Sequence, residues 1–201
     1  MRHLVIVSGP SGSGKSTLIQ RLLAACPELH FSVSHTTRPA RENEVDGRDY
    51  HFVSRPVFLK MRGRREFAEW AEVHGQLYGT SWLELRRKSG RGRTLVLDID
   101  VQGARRIKRR YPETMAVFVI PPSLAELKRR LRRREKKWSP EAEQRLQKAL
   151  NEMAAYELYD YLIVNHELKK ASAELRCLLA AFGRQMARNG DKIEKMIRGR
   201  K

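Results

Sequence analysis

The stretch Leu4-Val5-Ile6-Val7-Ser8-Gly9-Pro10-Ser11-Gly12-Ser13-Gly14-Lys15-Ser16-Thr17 constrains this chain more than any other. An apolar run with the length of a buried parallel strand leads into a glycine-rich turn. The turn opens onto Leu18, Ile19, Leu22 and Leu23, whose i,i+4 pairs share one helix face. Gly9 to Ser16 fits the pattern G-x-x-x-x-G-K-[ST]. Gly9, Gly12 and Gly14, with Ser11 and Ser13 between them, permit backbone angles that turn successive N–H groups inward. The result is an anion cradle at a helix N-terminus, continued by Thr17. Lys15 has the reach to meet β- and γ-phosphates, and the Ser16 hydroxyl is suited to ligate Mg²⁺. A glycine-rich turn can carry such a pattern by chance. With a strand before it and a helix after it, the unit reads as a P-loop that binds a nucleoside triphosphate.

Downstream, strands and helices alternate, which predicts an α/β fold with a parallel sheet covered by helices on both faces. Apolar runs predict strands at 31–34, 94–98, 116–120 and 161–164. Helices are expected over 101–110, after the capping box Ser123-Leu124-Ala125-Glu126, and from Ser139-Pro140-Glu141. A final helix carries Leu168, Ala171, Leu175, Leu178, Phe182 and Met186 at 3–4 spacing, and 188–201 reads as a polar tail without such a stripe. The rhythm is interrupted over 34–82, which reads as a small β-rich insert. Strands are expected there at 50–53 and 66–73, a short helix at 56–61 and a hairpin turn at 75–79.

The net charge is +18, with 41 Lys+Arg against 23 Asp+Glu. That balance suits polyphosphate substrates, nucleic acid or acidic lipid. No RNA- or DNA-binding motif stands in the chain, so nucleic acid is expected only as a non-specific partner. No apolar run nears the roughly 18 residues that span a bilayer, and no cleavable leader is read at Met1-Arg2-His3. Cys26 and Cys177 lack any metal or CxxC spacing and read as two reduced core thiols of a cytoplasmic protein. Oligomeric state is not legible.

The insert concentrates Ser34, Arg38, Arg41, Tyr50, Glu69 and Tyr78 in a segment too short for a large core of its own. Arg38 and Arg41 suit a bidentate clamp on a second phosphate, and the tyrosines can add phenolic donors. Taken singly, each has a plainer reading. A loop arginine is usually solvated, a tyrosine usually packs its ring, and Glu69 would lie on the wet face of a strand.

Six blocks together resemble the guanylate kinase family over about residues 4–168. They are the P-loop, Ser34-His35-Thr36-Thr37-Arg38 with Arg41 and Gly47-Arg48-Asp49-Tyr50, Glu69-Trp70-Ala71, Tyr78-Gly79-Thr80, Asp98-Ile99-Asp100-Val101-Gln102-Gly103, and Tyr161-Leu162-Ile163-Val164-Asn165. The resemblance implies that Ser34, Arg38, Arg41, Tyr50 and Tyr78 hold the phosphate of GMP. It implies that Glu69, Thr80 and Asp98 read the guanine, whose adjacent N1 and N2 donors suit a carboxylate. Asn165 would contact the ATP side. Asp100 follows a core strand as a Walker-B-like carboxylate does, and with Ser16 would serve Mg²⁺. Arg134 and Arg145 fall on the family's lid arginines, catalytic together with Lys15 and Arg38. The implied division is a core of 1–33, 83–124 and 146–201, a GMP-binding insert of 34–82 and a helical lid of 125–145. Two positions depart from the family: Glu135 stands where glycine is usual and His166 where aspartate is usual.

The expected reaction is Mg-assisted transfer from ATP to GMP, and to dGMP, giving ADP and the diphosphate. The alternative is a catalytically silent binding module of the same family. Such modules have a degraded P-loop, whereas Lys15, Ser16, Arg38, Arg41 and Asp98 all stand here. In the basic segment 128–137, like charges at i,i+4, namely Arg129–Arg133 and Arg130–Arg134, are expected to loosen the lid. Arg134 is expected to be the functional member of that segment.

Overall fold

A computed structural model describes residues 3–73, 75–88, 94–135 and 140–198, the side chains of 87–88, 134–135, 140–142, 186–188 and 191–192 excepted. The chain runs β1 (His3–Ser8), α1 (Lys15–Ala25), β2 (Leu29–Phe31), β3 (His35–Thr36), β4 (His51–Phe52), α2 (Arg55–Gly63), β5 (Phe67–Val73), β6 (Gln76–Ser81) and α3 (Trp82–Lys88). It continues through β7 (Thr94–Asp98), α4 (Val101–Arg110), β8 (Met115–Ile120), α5 (Leu124–Glu135), α6 (Pro140–Met153), β9 (Tyr161–Val164), α7 (Leu168–Arg184) and α8 (Met186–Arg198).

Five strands form a parallel sheet in the order β2-β7-β1-β8-β9. The period-2 alternation of β1 explains its two-sided burial. Val5 and Val7 pack with Leu18 and Leu22 of α1 and Leu175 and Phe182 of α7. Leu4 and Ile6 face the other way, against Leu85 of α3 and Ala104 and Ile107 of α4. All four strand residues are fully buried, so every polar change there would meet an apolar wall. Among the described residues no helix is long and apolar enough to cross a membrane.

A second sheet, β4-β3-β6-β5, stands beside the first. Phe58 of α2 stacks on Phe67 of β5 at 4.4 Å and, with Leu77, fills the small core of that sheet. A further apolar cluster joins Leu127 and Leu131 of α5 to Leu146 and Ala149 of α6.

Four local expectations are corrected. The strand expected at 31–34 lies at Leu29–Phe31. The turn expected over 75–79 shrinks to Gly75, at φ +73°, because Leu77 is drawn into the core and the ladder pairs Ala71 with Tyr78. Residues Trp82–Lys88 form a helix, α3, that the sequence pattern did not show. Residues read as a polar tail form α8, on which Ile193, Met196 and Ile197 recur at helical spacing among the charges.

Candidate active site

The loop after β1 is shaped by glycines that no other residue can replace. A Cβ on Gly9 would lie 2.1 Å from the Val119 carbonyl oxygen, and Gly14 takes φ +86° as the N-cap of α1. Gly14 offers no capping side chain, so the first N–H groups of α1 stay available to an anion. The loop is braced from behind. The buried Asn165 side chain donates to the Ser13 carbonyl at 2.8 Å. Arg130 of α5 donates to the same carbonyl at 3.2 Å and to the Asn165 carbonyl at 3.0 Å. Carbonyls drawn to one side leave N–H groups for the other.

In front of this loop is a cavity of about 620 Å³. Its wall takes in the loop from Gly9 to Thr17, including Ser11, Gly12, Ser13, Lys15 and Ser16, and the side chains of Ser34, Arg38, Arg41, Tyr50, Glu69 and Tyr78. Asp98, Asp100 and Arg145 also line it. Residues expected from distant blocks thus share one space. Thr80 and Asn165 do not line it; Thr80 is fully buried behind Glu69. The Arg134 side chain lies outside the described residues, as does that of Glu135.

Lys15 forms an ion pair with Asp98 at the end of β7. Register explains the meeting, since β1 and β7 are parallel neighbours with Val7 opposite Asp98. Asp100 caps α4, its Oδ1 accepting from the Gly103 N–H at 2.9 Å. Glu152 of α6, which the sequence reading passed over, also reaches the wall. Burial raises its pKa, and the charge of Asp100 adds to the effect.

Arg38 is held by a carboxylate. Its Nη2 donates to both oxygens of Glu44, at 2.7 and 2.8 Å, and its guanidinium lies 5.5 Å from the Tyr50 ring centre. Glu44 also accepts from the Arg41 backbone N–H at 2.8 Å. Burial alone would raise the Glu44 pKa, but that N–H and the Arg38 guanidinium outweigh it and hold the carboxyl below its usual range. Burial, aided by the charge of Asp98, pushes Tyr50 well up, so its phenol remains a donor.

Glu69 is the most constrained acid of the site, at 4% exposed. In β5 it shares the inward face with Phe67 and Ala71, so a carboxylate occupies an apolar row. Its Oε1 accepts from the Thr80 N–H at 2.8 Å, and the Thr80 hydroxyl stands 3.3 Å from that of Ser34. Burial raises its pKa to about 7 against the pull of the Thr80 hydrogen bonds.

The expected like-charge repulsion along α5 is offset. Glu126 accepts from Arg129 at 2.6 and 2.7 Å and from Arg130 at 2.7 Å, and the Arg129 and Arg130 hydrogen bonds bring its pKa down to about 2. The capping box is accordingly half made: Ser123 Oγ accepts from the Glu126 N–H at 3.1 Å, while the Glu126 carboxylate serves the arginines.

The chain is similar to known proteins in sequence and in fold. A family profile described as guanylate kinase matches residues 1–182. A guanylate kinase of Pseudomonas fluorescens is 42% identical over 194 residues, 96% of this chain and 94% of that one. One from Syntrophotalea carbinolica is 43% identical over 185 residues, 92% and 88% of the two chains. The crystal structure of guanylate kinase from Anaplasma phagocytophilum aligns with a TM-score of 0.75 and 34% identity, covering 92% of this chain and 87% of that one.

Proposed function

The chain belongs to the guanylate kinase family, and on that basis we propose that its cavity aligns ATP and GMP for transfer of the γ-phosphoryl group, giving ADP and GDP. One observation carries the site assignment. The anion cradle of Gly9–Thr17 and the Arg38–Tyr50–Tyr78 corner open into the same cavity, as two phosphate sites in line require. A phosphate monoester is largely ionised at neutral pH, its second pKa being about 6. No general base is needed, and catalysis reduces to alignment and neutralisation of charge.

In this reading the loop N–H groups and Lys15 hold the ATP phosphates, Lys15 exchanging Asp98 for an incoming phosphate oxygen. Ser34, Arg38, Arg41, Tyr50 and Tyr78 hold the GMP phosphate. Glu69 accepts the guanine N1 and N2 protons, oriented by Thr80, with Asp98 nearby. Arg145 and Arg134 would neutralise charge on the transferring group. Asn165 acts on the nucleotide through the loop it braces. The core, insert and lid divide as 1–33 with 83–124 and 146–201, 34–82, and 125–145. Both substrates are anions, which suits a chain of net charge +18.

The chemistry of the wall fits Mg²⁺: the Ser16 hydroxyl and the Asp100 carboxylate both line it, beside Glu152, whose pKa is raised by burial and further by the charge of Asp100. Among the described residues no three His, Cys, Asp or Glu side chains are placed to hold a metal alone. Ser16 and Asp100 would therefore share the ion with substrate oxygens and water, as is usual for Mg²⁺. When bound, it would draw off charge from the β- and γ-phosphates. Cys26 is half-buried and Cys177 exposed, so neither is the core thiol expected from the sequence; both are free, in keeping with a cytoplasmic enzyme.

The test is the base-reading carboxylate. Glu69→Gln replaces one acceptor by a donor, and should raise KM for GMP by about 10²-fold and erode the preference over AMP. The pH dependence has a defined sign. Glu69 with a pKa of about 7 is protonated below neutrality and accepts both guanine protons only when ionised. So kcat/KM for GMP should rise with pH through about 7, and Glu69→Gln should lose that step while keeping the phosphate step near 6. Unchanged selectivity and an unchanged profile would remove Glu69 from the role.

A further inference from the structure

Gly103 lies in the first turn of α4 and is buried. A glycine in a helix interior is less favourable than alanine by about 1 kcal/mol. Backbone angles do not demand it, for Gly103 is not among the residues with positive φ. Its N–H, which caps on Asp100, is one that alanine would also provide. What remains is space. A Cβ at Gly103 would lie 2.6 Å from Glu69 Oε2 and 3.1 Å from Glu69 Cδ. Elsewhere the crowded glycines meet other groups: Gly9 a carbonyl, Gly79 the Phe67 ring. Gly103 meets the carboxylate assigned above to the base.

The two oxygens of Glu69 are thus fixed in different ways. Oε1 is tied to the Thr80 N–H, and Oε2 rests on the bare backbone of α4. A methyl group at Gly103 would have to displace the end of a flexible side chain rather than backbone. Ile99 Cβ, at 3.2 Å, is the next neighbour and only slightly tight. The fold therefore has a low-cost way to accept alanine, and the displacement falls on the orientation of the carboxylate. With Oε1 held, Oε2 must swing away from α4.

We propose that Gly103 is a positioning residue for base recognition: its missing side chain sets where Glu69 Oε2 stands, and so sets the discrimination between a purine with adjacent N1 and N2 donors and one lacking either. This rests on the reading of Glu69 as the guanine acceptor. The placement also couples parts of the molecule, since Glu69 belongs to the second sheet and Gly103 to a helix of the main one. Base choice is then set where the two meet.

The experiment compares GMP with IMP, which lacks the N2 amine, in single and double variants at Gly103 and Glu69. Gly103→Ala should raise KM for GMP about tenfold, leave KM for ATP and kcat within about threefold, and lower the GMP-over-IMP preference about tenfold. Glu69→Asp withdraws the carboxylate by one methylene. In the Gly103→Ala background it should therefore restore part of the lost preference, although alone it reduces it. In a Glu69→Ala background the added methyl meets no carboxylate, so Gly103→Ala should change KM for GMP no further. That pair remains informative even if Gly103→Ala alone fails to fold. An additive further rise in the Glu69→Ala background overturns the proposal. So does a wild-type GMP/IMP ratio in Gly103→Ala, or an equal loss for both nucleotides with a lowered Tm. Glu69→Gln distinguishes the two levels: if it leaves GMP kinetics unchanged, the base-reading assignment itself fails. If it raises KM while Gly103→Ala does not, only the present inference fails.

Discussion

Lys15→Ala is expected to lower kcat by roughly 10³-fold or more while the protein stays folded. The Lys15 ammonium is the cation that the P-loop itself supplies, and it enters a wall that already carries Asp98, Asp100 and Glu152. Without it the carboxylate field would oppose the polyphosphate that the loop is built to hold. Charge that develops during transfer would meet only backbone N–H groups and the arginines. The fold should be indifferent. Asp98 lines the open cavity, so the carboxylate left without its partner can be solvated there. The loop is held by Asn165 and Arg130, neither of which touches the lysine ammonium. A coupled assay of ADP formation with circular dichroism on the same sample decides the matter. Turnover within tenfold of wild type would mean that the loop N–H groups and Mg²⁺ suffice and that Lys15 is no transition-state residue. Loss of turnover together with loss of Tm would assign it to structure instead.

What could be read along the chain was what is local or periodic. The P-loop is a contiguous strand, turn and helix, and its glycines announce their angles: Gly9, Gly12 and Gly14 all take positive φ. The parallel core follows from apolar runs separated by helical stretches. What the sequence does not show depends on partners far along it. Nothing near Asn165 announces that its side chain meets a carbonyl 152 residues away. Arg130 is hidden in a run of similar charges, and only the packing of α5 singles it out. Glu44 reads as one more acid of a polar loop until the loop closes on Arg38. Glu69 had a legible signal that propensity obscured. In Phe67-Ala68-Glu69-Trp70-Ala71 it falls in phase with Phe67 and Ala71, so period 2 places a carboxylate inside. A charged residue in phase with an apolar row is worth more attention than its charge alone suggests. The helix α3 and the helical register of α8 went unread for the opposite reason, too few apolar residues among many charges to show a stripe.

Arg38→Lys should lower kcat/KM for GMP by about 10²-fold, and Arg38→Met by more, with KM for ATP little changed. The guanidinium presents two edges. Nη1 donates to the Pro39 carbonyl at 2.6 Å and Nη2 to Glu44, so its plane is set before any phosphate arrives. An ammonium keeps the charge but loses the fork, and phosphate recognition here depends on both. Glu44 is at once the support and the competitor of that clamp. Glu44→Gln removes its charge but keeps one acceptor, so KM for GMP should move by no more than about fivefold, much less than for Arg38→Lys. Stability provides an independent reading with a fixed sign. The Glu44 pKa is depressed below its ordinary 4.5 in the folded chain. Its contribution is therefore complete above about pH 4.5 and disappears as pH falls through the lower folded value. The stability gap between wild type and Glu44→Gln should hold at neutral pH and close on acidification below that point. Arg38→Lys, which keeps a cation beside Glu44, should retain part of the acid-sensitive gap while losing the GMP term. If instead Arg38→Lys matches wild type in kcat/KM for GMP, a point charge is enough and the planar fork has no part in holding the phosphate.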